Sequence, residues 1–274
     1  EIPAGFEKQL VKEDEAKLLM AINAINGVKA NLGGVYLNSI IKDYNKLVRT
    51  EWIQFPRFNP EPVIEVVSSN RYNPQMNYKF FMVPGILALL LTMIGTNLTA
   101  INIVREKEIG TIEQLNVTPI KKIHLILGKL IPFWILGLMV LGVGFIIARI
   151  FYGIIPVGSF VTIYVFAAIY LLAVLGLGLL ISSYSATQQQ AMLVSFFVLM
   201  IFVLMSGLYT SIDSMPDWAK WITKMNPVSY FIEVMRMVVL KGSTLADISR
   251  QLYTISFFAV VVNIWAVYSY RKRS

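Results

Sequence analysis

Residues 80–122 read FFMVPGILALLLTMIGTNLTAINIVREKEIGTIEQLNVTPIKK. Residues 80–104 carry no charged side chain, and seven charged side chains then fall between Arg105 and Lys122. A helix rising about 1.5 Å per residue crosses roughly 30 Å of hydrocarbon within 80–104, so the stretch predicts a membrane span ending in a polar segment. Four further stretches have the length and apolarity of a span: 123–148, 159–183, 189–210 and 251–270. The composition agrees, with 56% hydrophobic and 15% charged residues in 274 and a mean hydropathy of +0.64. The predicted fold class is an α-helical integral membrane protein, five spans in 80–274 and a small α+β domain at 1–79.

Residues 1–79 hold ten Lys/Arg against nine Asp/Glu, and the remainder fourteen against seven, so nearly all of the net charge of +8 belongs to the membrane half. That distribution suits loops that meet anionic headgroups and argues against nucleic acid as a partner. Arg271, Lys272 and Arg273 directly follow the last span and place the C-terminus in the cytoplasm. Counted with that tail, the inner segments carry seven Lys/Arg and the outer ones six, so the tail and the seven-charge loop decide the orientation. The domain at 1–79 is then extracytoplasmic, and a further helix ahead of it, making six spans, is the expectation for a longer natural chain. The absence of cysteine excludes disulfides and thiolate metal sites.

Within 1–79, KLLMAINAING alternates Leu18, Met20 and Ile22 and closes on Asn26-Gly27, a strand and a turn. Leu32, Tyr36, Ile40, Tyr44 and Leu47 recur at helical spacing, and PVIEVVSS reads as a second strand after a Pro-rich link. No paired carboxylates, His or Cys suggest chemistry there, so the expected role is docking or gating.

The spans are nearly free of ionisable groups: Arg149 lies at a span end, Lys129 about a turn inside, and His124 at the same boundary. That disfavours a proton-driven carrier, and no protease constellation or metal site is present, so no catalytic residue is assigned. Gly144/Ala148 and Gly178/Ser182 lie four apart and permit close helix approach, within the chain or between two copies. Pro132 predicts a kink in the second span. Residues 214–242 are too apolar for a solvated loop and too interrupted to cross. They predict two short re-entrant helices at the outer face, the first capped from Ser214, the second starting at Asn226-Pro227 and ended by Gly242. Glu233 and Arg236 are three apart and can pair, as a structural ion pair or part of an outer gate.

In the polar segment, Gly110 allows a bend, Thr111 with Gln114 fits a capping box, and Glu113 falls in the first turn, where the helix dipole favours a carboxylate. The first span should run on as helix to Glu108, break at Gly110-Thr111 and restart, ending at Thr118-Pro119. This elbow, 105–119, offers Ile112 and Leu115 on one side and Glu113 on the other. With Glu106 and Glu108 it is too acidic for an anionic leaflet and suits a protein groove.

REKEIGTIEQL after a span opening FMVPGI, followed by SGLYTSIDSMPDWAKWITKMNPVSYFIEVMR, resembles the membrane subunits of ABC-2 type exporters, notably bacterial multidrug-type permeases with a large outer domain. The resemblance extends over nearly the whole chain, including NRYNPQMNYKFFMVPG. It implies that Arg105, Glu106, Glu108, Gly110, Thr111, Ile112, Glu113, Gln114 and Leu115 form the coupling helix that rests on a separate ATPase subunit. It also implies two permeases, alike or different, with two ATPases, in a bacterial inner membrane, with a periplasmic adaptor as a further candidate partner. The first span of that family is the part this sequence lacks. No GxxxxGK[ST] loop occurs, since Gly128-Lys129 is followed by Leu130. ATP and Mg are therefore expected on the partner, and this chain is expected to be a non-catalytic permease exporting an apolar or amphipathic substrate. The rival reading is a membrane receptor or scaffold whose outer domain senses a ligand.

Overall fold

The computed structural model describes residues 18–21, 27–52, 66–69, 78–111 and 122–269, and the chain divides into two compact units, Glu1–Phe81 and Met82–Ser274. In the first unit, strands β1 (Leu18–Ala21) and β2 (Val66–Ser69) pair in parallel, Leu18 opposite Val66 and Ala21 opposite Ser69. A parallel pair needs a crossover, and helix α1 (Gly27–Trp52) lies in that connection.

Among the described residues, four helices are long and apolar enough to cross a membrane: α2 (Tyr78–Ile109), α3 (Lys122–Tyr152), α4 (Phe160–Tyr184) and α8 (Ser249–Ser269). The fifth expected span, 189–210, falls on the shorter apolar helix α5 (Gln188–Leu204), 17 residues long. At about 1.5 Å per residue it reaches about 25 Å, at the short end of the lengths that cross the hydrocarbon. It stops because Ser206 back-bonds to the Val203 carbonyl at 2.6 Å and Gly207 turns left-handed at φ 79°. A short 3-10 turn, Ile212–Ser214, leads to α6 (Asp217–Lys224) and α7 (Pro227–Lys241).

The second short helix begins and ends as its sequence predicts. Asn226 accepts from the Val228 N–H at 3.0 Å, Pro227 takes the first helical position, and Gly242 ends the helix as a left-handed cap at φ 72°, its N–H donating to the Val238 carbonyl at 3.2 Å. Ser214, expected as the cap of α6, donates to the Ser211 carbonyl at 2.8 Å, and Pro216 occupies the cap position without a side-chain bond. The 3-10 turn captures the serine that the helix would have used. Beyond α7, the Asp247 carboxylate accepts from the Thr244 N–H at 2.7 Å and its hydroxyl at 2.9 Å. Those bonds hold Asp247 below the usual carboxylate pKa.

Helix α4 is the centre of the second unit, in contact with α3, α5, α7 and α8. Tyr170 and Phe166, fully buried, stack on Phe231 of α7, with ring centroids 4.3 and 5.8 Å apart. Leu175 and Leu179 pack with Ile103, Ile126, Leu130 and Ala266, joining α2, α3 and α8. Polar bonds join α4 to its neighbours: Thr92 and Tyr170 share a hydrogen bond at 2.5 Å, Trp134 donates to the Ala168 carbonyl at 2.9 Å, and Asn263 to the Leu172 carbonyl at 2.9 Å.

The small residues serve packing inside the chain. A Cβ on Gly178 would lie 2.6 Å from the Thr96 carbonyl oxygen, one on Gly95 3.2 Å from Val174, and one on Gly144 2.4 Å from the end of Leu87. Helix α3 runs unbroken through Pro132.

Candidate functional site

Nothing between Phe80 and Ile109 but Pro84, near its start, opposes a helix, so α2 carries its apolar run straight into Arg105, Glu106, Lys107 and Glu108. Gly110 then adopts φ 81°, and its N–H returns to the Lys107 carbonyl at 3.3 Å. A left-handed residue at this place ends the helix, and glycine takes it without the Cβ clash. The Thr111 hydroxyl donates back to the Glu106 carbonyl at 3.1 Å, satisfying one of the last free acceptors of α2. The break is where the sequence places it. Ile112, Glu113, Gln114 and Leu115, and with them the capping-box partner, lie outside the described residues.

Successive residues on a helix point about 100° apart, so three in a row face three directions. Here each direction holds a different helix. Glu106 forms an ion pair with Lys129 of α3, the two side chains being 29% and 15% exposed. The Lys107 ammonium donates to the Ser182 carbonyl in the last turn of α4. The exposed Glu108 accepts from the Gln188 backbone N–H at 2.8 Å and from the Gln188 side-chain amide. Gln188 is the first residue of α5, so that carboxylate also sits against the positive end of a helix dipole. Arg105 and His124 are exposed.

Acids 106 and 108 thus turn toward the protein's own helices. Lys129 was legible as a lysine in need of a partner, being nearly alone in an apolar run. Gln188 gave no such signal, since a glutamine before an apolar helix is unremarkable until its partner is known.

The two members of the second predicted pair each bind another element. Exposed Glu233 accepts from the Gln251 amide at 3.0 Å. Arg236 is buried and donates to the Gly207 carbonyl at 3.3 Å. It acts there with two other side chains on the end of α5: Asn226 donates to the Phe202 carbonyl at 2.7 Å and Thr223 to the Met205 carbonyl at 3.2 Å. Helix ends leave acceptors unmet, and in an apolar setting each must find a donor. Three residues of the α6–α7 hairpin supply them.

The family model for "ABC-2 family transporter protein" matches residues 1–268. The chain is 30% identical over 272 residues to the probable multidrug ABC transporter permease YbhR of Escherichia coli K12, covering 99% of this chain and 72% of that protein. It is 32% identical over 184 residues to the probable multidrug ABC transporter permease YbhS of the same organism, 67% of this chain and 49% of that one. It is 25% identical over 273 residues to the inner membrane transport permease YhhJ, covering 95% and 70%.

Proposed function

The chain belongs to the ABC-2 transporter family, and from that premise we propose that it is the membrane subunit of an ATP-driven exporter, coupled at the end of α2 to a separate ATPase. The observation that carries this reading is the clasp: three successive charged residues, Glu106, Lys107 and Glu108, bind α3, α4 and α5 just before a glycine-hinged break. A partner that displaces the segment after Gly110 acts on three helices at once.

The work comes from the partner, which binds ATP and Mg. Residues 105–115 receive it, Ile112, Glu113, Gln114 and Leu115 meeting the ATPase and Glu106 and Glu108 passing displacement inward. A second permease, alike or different, completes the route, and the substrate is apolar or amphipathic, as befits spans almost free of charge. The setting is a bacterial inner membrane with the α+β unit outside, where an adaptor could meet it, and the C-terminus in the cytoplasm.

Purification of the full-length protein from native membranes is expected to bring with it an ATPase carrying a GxxxxGK[ST] loop. Charge reversal at Glu108 and Glu113 is expected to leave that complex assembled and hydrolysing ATP while export stops. Recovery without any ATPase, or unchanged export by the double variant, rejects the reading.

A further inference from the structure

We propose that α5 is a strut that carries displacement from the charged end of α2 to the α6–α7 hairpin, and that Gln188 is the positioning residue that couples it. This rests on the elbow reading above. Both ends of α5 are held by side chains of other elements. At its start, Glu108 binds Gln188 through both backbone and side chain. At its far end, Asn226, Thr223 and Arg236 hold the carbonyls of Phe202, Met205 and Gly207.

Between those attachments lies an uninterrupted helix of 17 residues without Pro or Gly. Thr187 caps it through the Gln190 N–H at 3.2 Å, so the clasped turn is stiff. Its flank is weakly interlocked. Its only buried positions are Ala191, Ser195 and Leu199, two of them small, on one stripe four residues apart. Helix α4 behaves oppositely, locked by the Gly178 contact, the Tyr170 stack and the Asn263 bond. A force applied at 106–108 therefore meets deeply packed core through Lys129 and Ser182, and through Gln188 a rod seated on a narrow seam, where Ala191 meets Ala100, Val104 and Ile181.

The far end of α5 is then obliged to take α6 and α7 with it. A discrete element held at both ends is the physical form that coupling between distant places requires. Gln188 does not touch ATP or cargo; it sets whether α5 follows the elbow.

These 274 residues hold no cysteine, so a cysteine introduced among them for labelling has no competitor within them. The test uses the full-length permease with its copurified ATPase in nanodiscs, with and without ATP and vanadate. Nitroxides are placed at Val161 and Leu204, both exposed, to follow the far end of α5. A separate pair at Ile109 and Tyr184, also exposed, follows the elbow. Nucleotide is expected to shift both distances. Gln188→Glu, which sets a carboxylate against Glu108, is expected to abolish the Leu204 shift and keep the Ile109 shift. Adding Glu108→Gln exchanges amide and carboxylate and is expected to restore it. Gln188→Ala, which deletes only the side-chain bond, is expected to reduce the Leu204 shift and serves if Gln188→Glu does not fold. A Leu204 shift that survives Gln188→Glu or, where that variant does not fold, one undiminished in Gln188→Ala, or one that is absent while Ile109 moves, overturns the strut and leaves the elbow standing. If neither pair shifts, both readings fall.

Discussion

Lys129 enters an otherwise apolar helix and finds Glu106, each side chain less than a third exposed. Removing one partner leaves the other partly desolvated, which costs on the order of 2 kcal/mol for a charged hydrogen bond. Lys129→Met should therefore lower the thermal aggregation midpoint of the detergent-purified protein. The double variant Lys129→Met/Glu106→Gln should recover part of the loss, because no charge is left stranded. Additive losses in that cycle would mean that the two residues do not act as a pair. What was legible here follows from local chemistry: Gly110 as the break needs only the glycine and the helix before it. What was not legible is contact across the chain, since Glu108 meets a residue 80 positions away.

Among the elements, α2 and α4 touch most intimately at Gly178, where a Cβ would lie 2.6 Å from the Thr96 carbonyl oxygen. Backbone cannot yield as a side chain can. At Gly144 the obstacle is instead the mobile tip of Leu87. Gly178→Ala should accordingly cost about 1–3 kcal/mol of overpacking, and Gly144→Ala should cost much less, as read by thermal aggregation of the two purified variants. Equal loss at both sites would refute the distinction between rigid and yielding neighbours. The four-residue spacing of small residues was visible in the sequence, but whether it served packing within the chain or between copies was open, because spacing does not name a partner. Helix ends divided in the same way. Asn226, Pro227 and Gly242 set α7 by their own conformational preferences, whereas Ser214 had two competing uses and the 3-10 turn took it. The length of α5 was misjudged because residues 205–210 are apolar enough to continue a span, and only Gly207 with its donors shows that they do not.

For the membrane unit as a whole, the contacts sort helix ends into two sets. The end of α2, the end of α4 and the start of α5 are joined by the clasp at 106–108. The end of α8 joins them, since the Ser269 and Tyr184 hydroxyls lie 3.2 Å apart. The opposite set contains the link from α3 to α4, whose Val157 and Gly158 N–H groups donate to the Val239 and Val238 carbonyls at 3.0 Å, together with the α6–α7 hairpin and the start of α8. The first set gathers Arg105 and Lys107 with the sequence neighbours Lys121 and Lys122, and the basic tail Arg271, Lys272 and Arg273 follows Ser269 closely. Lys/Arg near span ends favour the cytoplasm, so the clasp should face inward and the hairpin outward. Cysteines introduced at Leu245 and Ile109, exposed on opposite sets, make this measurable with a membrane-impermeant maleimide. Leu245→Cys should label in intact spheroplasts, and Ile109→Cys only after the membrane is opened. The reverse pattern would place the clasp outside, where no cytoplasmic ATPase could reach it.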